Sequence, residues 1–209
     1  MGGAILWDVD TQVDFIEPGG RLYFPGAEEA RSAMAQLVEA ARASGVVHVA
    51  SCDQHELSDP EISAEPDYDT TWPPHCLLGT RGAEKIAETK QLDPLPLPLV
   101  PLPRGILQDL LAGRREIVIP KKHYDPFTNP NTENLLDMLD PDEILLFGVA
   151  TDICDDAAVR ALLRRGRRIA FVEDASRGVD EPRVAACLTA WRDAGVRFTT
   201  AEEAAASLG

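Results

Sequence analysis

The chain has 209 residues, of which 44% are hydrophobic and 26% charged, and its formal net charge is −15 at pH 7. This length and balance predict a single folded domain over residues 1–209 with a sizeable core, and they exclude a disordered chain. The acidic charge argues against nucleic acid or an anionic membrane as a partner, and no apolar run is long enough to span a bilayer.

The start of the chain and its cysteines bear on its compartment. No basic region precedes an apolar segment at the N-terminus, so we predict no signal peptide. The cysteines are scattered, without zinc-finger or redox-pair spacing; they are Cys52, Cys76, Cys154 and Cys187. Reduced thiols and a cytoplasmic location are the simplest interpretation.

Short apolar segments alternate with helical patterns along the chain. Residues 4–7 predict the first strand, and residues 28–44 predict a helix that Gly45 ends. Further strands are predicted over 46–50, 117–119, 144–147, 169–172 and 196–198, and further helices over 152–165 and 182–194. The alternation predicts a Rossmann-like α/β fold, with a mainly parallel sheet of about six strands between two layers of helices.

Two stretches fall outside this alternation. Residues 53–82 form a long polar segment, and loops of that length in compact domains are usually functional or disordered. Residues 92–104 contain prolines at positions 94, 96, 98, 101 and 103 among leucines. This composition favours an extended surface connector, with a lid or a subunit contact as the alternative.

Ionisable residues follow four of the predicted strands. Asp10 follows the first strand, Asp53 and His55 the second, Lys121 the third and Cys154 the fourth. Taken singly, Asp10 could cap a turn and Lys121 could be a solvated surface charge. Ligands of open parallel sheets bind at the carboxyl ends of the strands, and burying such groups together without a function is costly. The sequence therefore predicts an active site at this edge.

Cys154 lies where the fourth strand turns into a helix. The positive end of a helix favours a thiolate, and the free N–H groups there can hold an oxyanion. A carboxylate such as Asp10 can take the thiol proton and later pass it to a leaving amine, and Lys121 would favour the thiolate. The alternatives are a buried structural cysteine and a Cys–His pair that uses His123.

A metal site is indicated by the pattern Asp53-Gln54-His55 together with His75, which follows Trp-Pro-Pro. Asp-x-His puts two potential ligands on the same face of an extended segment. One carboxylate and two imidazoles suit zinc, iron or manganese and leave positions open for water and substrate. An Asp–His hydrogen bond would give the same pattern.

With these motifs in place, the chain resembles the isochorismatase-like cysteine hydrolases, and within them the nicotinamidases. The matching segments are Asp10-Thr-Gln-Val-Asp-Phe15, Pro25-Gly-Ala27, Asp53-x-His55, residues 72–84, Lys121-x-x-Tyr124-x-x-Phe127, Gly148-Val-Ala-Thr-Asp-x-Cys154 and Glu173-Asp-Ala175. They cover nearly the whole chain in the family's order, so the resemblance implies the isochorismatase-like fold.

The resemblance implies a catalytic triad of Asp10, Lys121 and Cys154. It also implies a cis peptide bond between Val149 and Ala150. The backbone amides of Ala150 and Cys154 would then form the oxyanion hole.

The resemblance further implies how substrate and metal bind. Asp53, His55 and His75 would hold a divalent zinc, iron or manganese ion, which in nicotinamidases binds the pyridine nitrogen of the substrate. Phe15 and Trp72 would sandwich an aromatic ring. By the same resemblance we expect a homo-oligomer.

The chain departs from the family pattern at two places. Nicotinamidases commonly have a further histidine several residues after Asp-x-His; Glu61 lies nearest that position here and is a candidate fourth ligand. Two acids, Asp155 and Asp156, directly follow Cys154. Because carboxylates facing the thiol would raise its pKa, we expect both to point toward solvent or a neighbouring subunit.

These features predict a metal-assisted cysteine amidohydrolase acting on a small-molecule amide through a thioester, with nicotinamide, giving nicotinate and ammonia, as the first substrate. The alternative within the fold is an amidase for another small amide or ureide of the carbamoyl or maleamate type. A non-catalytic binding module is the alternative from another class, and replacement of Cys154 would leave its activity intact.

Overall fold

The computed structural model describes residues 3–209; Met1 and Gly2, with which the signal-peptide prediction begins, lie outside the described residues. The strands are β1 Ala4–Val9, β2 His48–Asp53, β3 Leu95–Pro96, β4 Glu116–Lys121, β5 Glu143–Gly148, β6 Ile169–Val172 and β7 Arg197–Thr199. The α-helices are α1 Val13–Ile16, α2 Arg31–Ser44, α3 Arg104–Leu111, α4 Thr132–Leu139, α5 Asp156–Arg164, α6 Glu181–Asp193 and α7 Ala201–Ser207.

The strands form one seven-stranded sheet in the order β3-β4-β2-β1-β5-β6-β7, and every neighbouring pair is parallel. The α/β class is confirmed, and each of the six predicted strands is present with ends shifted by up to three residues. The strand count of about six is one too low, because β3 lies inside the proline-rich stretch. Within residues 3–209, no helix is both long and apolar enough to cross a membrane.

The proline-rich stretch forms the edge of the sheet. Leu95 and Pro96 pair with β4, and the N–H of Leu97 donates to the carbonyl of Val118 at 2.8 Å. Proline has no N–H to give to a further strand, so it is confined to edge positions of this kind. The extended conformation predicted for this stretch is confirmed, and its prolines end the sheet on that side.

Four α-helices of the structure, α1, α3, α4 and α7, were not predicted. They are 4, 8, 8 and 7 residues long. One or two turns of helix give too few apolar repeats for a periodic signal, so packing on the sheet decides their conformation. The predicted helix over 152–165 begins with a π-helical turn, Thr151–Asp155, before α5.

The hydrophobic core lies on both faces of the sheet, since alternate strand residues point to opposite sides. On one face Trp7 and Leu146 pack with residues of α3 to α6, such as Leu162. On the other face Leu6 and Phe147 pack with residues of α2 and α7. Burial on both faces explains why these strands are continuous apolar runs in the sequence.

The chain order reverses at the centre of the sheet. β1 pairs with β2 on one side and with β5 on the other, so the connections leave it in opposite directions. A crevice forms at the carboxyl ends of the strands at such a switch point. Asp10 follows β1 and Cys154 follows β5, so the fold places them on either side of this crevice.

Candidate active site

The turn after β5 carries Cys154. Gly148 has φ 144°, and a side chain there would collide with the backbone oxygen of Val9, so only glycine allows this close approach. The Val149–Ala150 peptide bond is cis. The carbonyl of Ala150 then accepts from the N–H groups of Ile153 and Asp155 at 2.9 and 3.1 Å, which closes the π-helical turn around Cys154.

Lys121 is the centre of a buried ionic cluster. Its Nζ lies 2.8 Å from Oδ2 of Asp10 and 2.5 Å from Oδ1 of Asp53. The same Nζ lies 3.9 Å from Sγ of Cys154. Lys121 and Asp10 have no exposed surface. The structure therefore brings together all three residues of the predicted triad.

The charges of this cluster set its protonation. Burial acts to lower the pKa of Lys121, but the carboxylates of Asp10 and Asp53 hold that pKa well above its usual value. Lys121 is therefore an ammonium. Burial acts to raise the pKa of Asp53, whereas the charge of Lys121 acts to lower it. The pKa of this carboxyl is held well below its usual range. Burial raises the pKa of Asp10 to about 7, although the charge of Lys121 lowers it.

The environment of Cys154 differs from the one that the sequence indicated. Burial raises the pKa of its thiol well above the usual value, the charge of Lys121 offsets this only in part, and the carboxylates of Asp10 and Asp53 add to the rise. The expectation of a thiolate-favouring environment is therefore wrong for the free site. This environment favours the protonated thiol over the thiolate.

A second group of side chains has the donor atoms of a metal site. It consists of Asp53, His55 and His75, and we call it the histidine group. Oδ2 of Asp53 lies 3.5 Å from Nε2 of His75 and 3.8 Å from Nε2 of His55. One ligand atom from each residue lies within 4.8 Å of the others, and all three residues are buried. Neither ring nitrogen of His55 has a hydrogen-bond partner in the described part of the chain. An unpaired buried polar group is costly, and the three side chains together offer the donor set of a metal site.

The contacts around the two imidazoles orient them toward this group. Nδ1 of His75 donates to the carbonyl of Pro73 at 2.8 Å, which leaves the lone pair on Nε2. Nδ1 of His55 lies 3.5 Å from Asp59, whose carboxylate accepts from Lys122 at 2.8 Å. A carbonyl partner such as that of His75 fixes the orientation of a metal-binding histidine.

Glu61 lies in the same cavity but outside that compact group. It is buried, and its Oε2 has no hydrogen-bond partner within residues 3–209. Burial raises its pKa, and the negative charge of Asp53 adds to the rise. An unpaired carboxylate facing this cavity is what a fourth metal ligand would provide.

A cavity of about 310 Å³ is lined by Cys154 together with Asp53 and His75. Aromatic side chains form part of its wall: Phe15 and Trp72, which the sequence singled out, line it together with Tyr124. The volume is at the lower end of the range of small-molecule sites, roughly 300–1,000 Å³. The cavity therefore suits a small, planar substrate.

Two supporting residues carried no prediction of their own, although both belong to the Asp-x-Gln-x-Asp-Phe motif. The side chain of Gln12 donates to the carbonyl of Asp53 at 2.8 Å and accepts from its N–H at 2.7 Å. The carboxylate of Asp14 accepts from the N–H groups of Cys76 and Arg21 at 2.7 and 3.0 Å. Both side chains fix loops that line the cavity.

Asp155 does not face the surface, so the prediction that it points toward solvent or a neighbouring subunit is wrong. It is fully buried, and neither carboxyl oxygen has a hydrogen-bond partner among residues 3–209. Burial raises its pKa well above the usual value, and the negative charge of Asp10 adds to the rise. Helical phase could have revealed this, since residue 155 shares a face with the buried Ala158, Val159 and Leu162. Asp156 is part-exposed, as expected.

His123, the alternative partner of the thiol, does not take that role. It lines a neighbouring cavity that Cys154 does not line, and in the described residues no hydrogen bond joins the two. Instead, Sγ lies 3.9 Å from Nζ of Lys121 and within 4.8 Å of carboxylate oxygens of Asp10 and Asp53.

Comparison with known proteins yields a consistent set of relatives. An isochorismatase domain family model matches residues 101–203. The nicotinamidase/pyrazinamidase of Mycobacterium tuberculosis is 31% identical over 190 residues, covering 91% of this chain and 95% of that protein. The N-carbamoylsarcosine amidase of Thermoplasma acidophilum is 27% identical with a TM-score of 0.73, covering 97% of this chain and 98% of that one.

A further solved structure supports the fold alone. The pyrazinamidase of Pyrococcus horikoshii, in complex with zinc, is 22% identical with a TM-score of 0.74. The alignment covers 94% of this chain and 98% of that one.

Proposed function

The chain belongs to the isochorismatase-like cysteine hydrolases, and we propose that it converts nicotinamide to nicotinate and ammonia with Cys154 as the nucleophile. The observation that carries the proposal is the buried contact of Lys121 with Asp10, Asp53 and Cys154 at the cavity. No structural need of the fold explains a buried ammonium between two carboxylates and a thiol.

The first half of the reaction forms a thioester. Asp10 takes the proton from Sγ of Cys154, and the sulfur attacks the carboxamide carbon. The amides of Ala150 and Cys154 hold the oxyanion, and one such donor contributes about 2.7–4 kcal/mol to transition-state stabilisation. The C–N bond breaks, and Asp10 returns the proton to the leaving nitrogen, so ammonia departs.

The second half restores the enzyme. Asp10 takes a proton from water, the hydroxide attacks the thioester carbon, and the C–S bond breaks to release the carboxylic acid. Asp10 then returns the proton to the sulfur, which restores the thiol and the carboxylate. In both halves one negative charge moves between Asp10 and Cys154. Lys121 lies within 4 Å of both groups, so it stabilises the charge in either position.

We propose that Asp53, His55 and His75 hold a divalent metal ion, with Glu61 as a candidate fourth ligand. The unpaired nitrogens of His55 and the mixed nitrogen and oxygen donors support zinc, iron or manganese. The pyrazinamidase of Pyrococcus horikoshii is described in complex with zinc. When bound, such an ion supplies a Lewis acid that orients a ring nitrogen of the substrate.

The aromatic wall supports a ring-shaped substrate. Phe15 and Trp72 would pack against the faces of the pyridine ring, which contributes roughly 0.5–1.5 kcal/mol beyond the buried area. Hydrolysis of a carbamoyl compound is the second candidate, favoured by the 27% identity with the N-carbamoylsarcosine amidase.

We also propose a cytoplasmic homo-oligomer. The four free, buried cysteines support a reducing compartment. Light scattering and fractionation test the two parts separately.

The test of the reaction is ammonia release from nicotinamide. Cys154→Ala should lower kcat/KM at least about 1,000-fold, because no other group can form the thioester. The matched control is Cys187→Ala, a buried cysteine in α6 that does not line the cavity, and it should keep the activity. Chelation should abolish activity and added zinc, iron or manganese should restore it. Equal activity in both variants would refute the proposal.

A further inference from the structure

A second buried ionic cluster lies next to Asp10 in the chain, and the reaction described above does not use it. Nζ of Lys85 contacts Oδ2 of Asp8 and donates to Oγ1 of Thr11 at 2.8 Å. The hydroxyl of Thr11 in turn donates to Oδ1 of Asp8 at 2.7 Å. Asp8 and Thr11 have no exposed surface, and the side chain of Lys85 is 9% exposed. The cluster therefore joins residues on both sides of Asp10.

The charge of Asp8 is compensated within this cluster. Burial acts to raise the pKa of Asp8, but the charge of Lys85 and a hydrogen bond with His48 hold that pKa below its usual value. Nε2 of His48 lies 3.2 Å from Oδ2 of Asp8. A buried ion pair adds little net stability, because the cost of removing both charges from water offsets their attraction. The stability of the fold is therefore a poor explanation for this pair.

The backbone of Asp10 is strained and needs support from the residues around it. Its φ is 50°, in the left-handed region that residues other than glycine rarely adopt. Its N–H donates to the carbonyl of Ser51 at 3.0 Å, and its carbonyl accepts from the N–H of Gln12 at 2.7 Å. Residues in such conformations persist only where surrounding contacts fix them, and they cluster at functional sites. The carboxylate that takes the thiol proton in the proposed reaction is thus carried on a strained residue.

The backbone around Lys85 pairs with the turn that follows Asp10. The N–H of Ile86 donates to the carbonyl of Thr11 at 3.0 Å, and Lys85 lies opposite Gln12 in an antiparallel bridge. These contacts hold the turn from one side. The side chain of Lys85 then spans the strained residue, because it contacts one side chain before it and one side chain after it.

We infer that Lys85 is a positioning residue for Asp10. By joining Asp8 to Thr11, Lys85 fixes the left-handed backbone between them, and this backbone aims the carboxylate of Asp10 at Cys154. The inference rests on the proposed function, since that reaction makes Asp10 the proton acceptor. The described residues that line the cavity do not include Lys85, so it acts on the proton transfer and not on the binding of the ring.

The test removes the buried pair without leaving either charge unpaired. The double variant Asp8→Leu/Lys85→Met carries apolar side chains of similar volume, and its free energy of unfolding in urea should equal or exceed that of the wild type. Its rate of thioester formation from nicotinamide, measured in a single turnover, should nevertheless fall roughly 10- to 100-fold, because a small displacement of a reacting group has an effect of this size. KM and the metal bound per chain should stay unchanged.

Two results with the double variant would overturn the inference. One is a wild-type rate of thioester formation in a folded double variant. The other is a fall in activity that is explained by a higher KM, by lost metal or by a loss of stability of the same size, since a merely structural pair would give that result.

A conservative pair of variants at Thr11 repeats the test with less disturbance of the core. Thr11→Val removes the hydroxyl that Lys85 contacts and should lower the same rate, whereas Thr11→Ser keeps the hydroxyl and should retain most of it. The matched control is Lys90→Met, which replaces an exposed lysine without an ion pair within residues 3–209 and should leave the rate unchanged. Equal rates in the two Thr11 variants, or an equal fall in Lys90→Met, would contradict the inference.

Alkylation of Cys154 by iodoacetamide separates this inference from the proposed reaction. In this step Sγ bonds to the methylene carbon, iodide leaves and Asp10 takes the thiol proton, so no amide bond is cleaved. Mass spectrometry of the Cys154 peptide should show slower alkylation in the double variant than in the wild type. If the wild type hydrolyses no nicotinamide, the proposed function fails while the alkylation rates still decide the role of Lys85. If both proteins hydrolyse nicotinamide equally fast, only the inference fails.

Discussion

Replacement of Asp155 by valine should stabilise the protein. Both carboxyl oxygens are buried without hydrogen bonds in the described structure, and Ala158, Val159 and Leu162 on the same helix face pack into the core. Burying an unpaired polar group costs about 1–3 kcal/mol, and valine is an apolar residue of similar size. We therefore expect the free energy of unfolding to rise by about 1–3 kcal/mol near pH 7.

The gain in stability of Asp155→Val over the wild type should increase with pH. The pKa of Asp155 is raised in the folded protein, whereas in the unfolded chain it is about 3.9. Between these values the folded state binds more protons than the unfolded state, so wild-type stability falls as pH rises, by at most about 1.4 kcal/mol per pH unit from this group. Below about pH 4 both states are protonated and this contribution vanishes.

Urea unfolding at several pH values between 4 and 8 measures this difference. The advantage of Asp155→Val should grow as pH rises from 4. The control is Asp156→Val at the next position, which removes hydrogen bonds from Trp191 at 2.9 Å and Arg160 at 2.7 Å. That variant should be less stable than the wild type. A destabilised Asp155→Val, with a difference that does not change with pH, would show that the carboxyl is paired and refute the argument.

Further variants test the site and its support. Asp10→Asn should lower kcat about 10²- to 10⁴-fold by removing the proton acceptor, and single-turnover kinetics should show slow thioester formation; a normal rate would exclude Asp10 as the base. His75→Ala should reduce bound metal per chain in elemental analysis, whereas the buried His48→Ala, outside the group, should not; equal loss would remove the site. Gly148→Ala should destabilise the fold by at least about 1–3 kcal/mol, because Gly148 has a positive φ. Gly105 in α3 has open space around it, so Gly105→Ala should be neutral or stabilising in thermal unfolding. Equal effects of the two glycine variants would contradict this reasoning.

The sequence was sufficient for the central strands and for the placement of the triad. Strands buried on both faces are recognisable as continuous apolar runs. The residues that directly follow parallel strands lie together at the carboxyl edge of the sheet. Asp10, Lys121 and Cys154 could therefore be assigned to a common site. The two-residue strand β3 could not be predicted, because its pairing with β4 depends on tertiary contact.

Two features of the site required the structure. The position of Arg21 at the cavity depends on how the segment after α1 folds, and no local sequence pattern indicates it. The protonation of Cys154 depends on a balance between burial and three charged neighbours, which only their distances decide.

Asp53 belongs to both parts of the site. Oδ1 contacts Lys121, whereas Oδ2 faces His75 and His55. Whatever binds to the histidine group therefore changes the charge that Lys121 experiences, and by thermodynamic reciprocity the state of Lys121 and Cys154 changes the affinity of that group. The histidine group and Cys154 are thus thermodynamically linked through one side chain, and a substitution of Asp53 perturbs both at once.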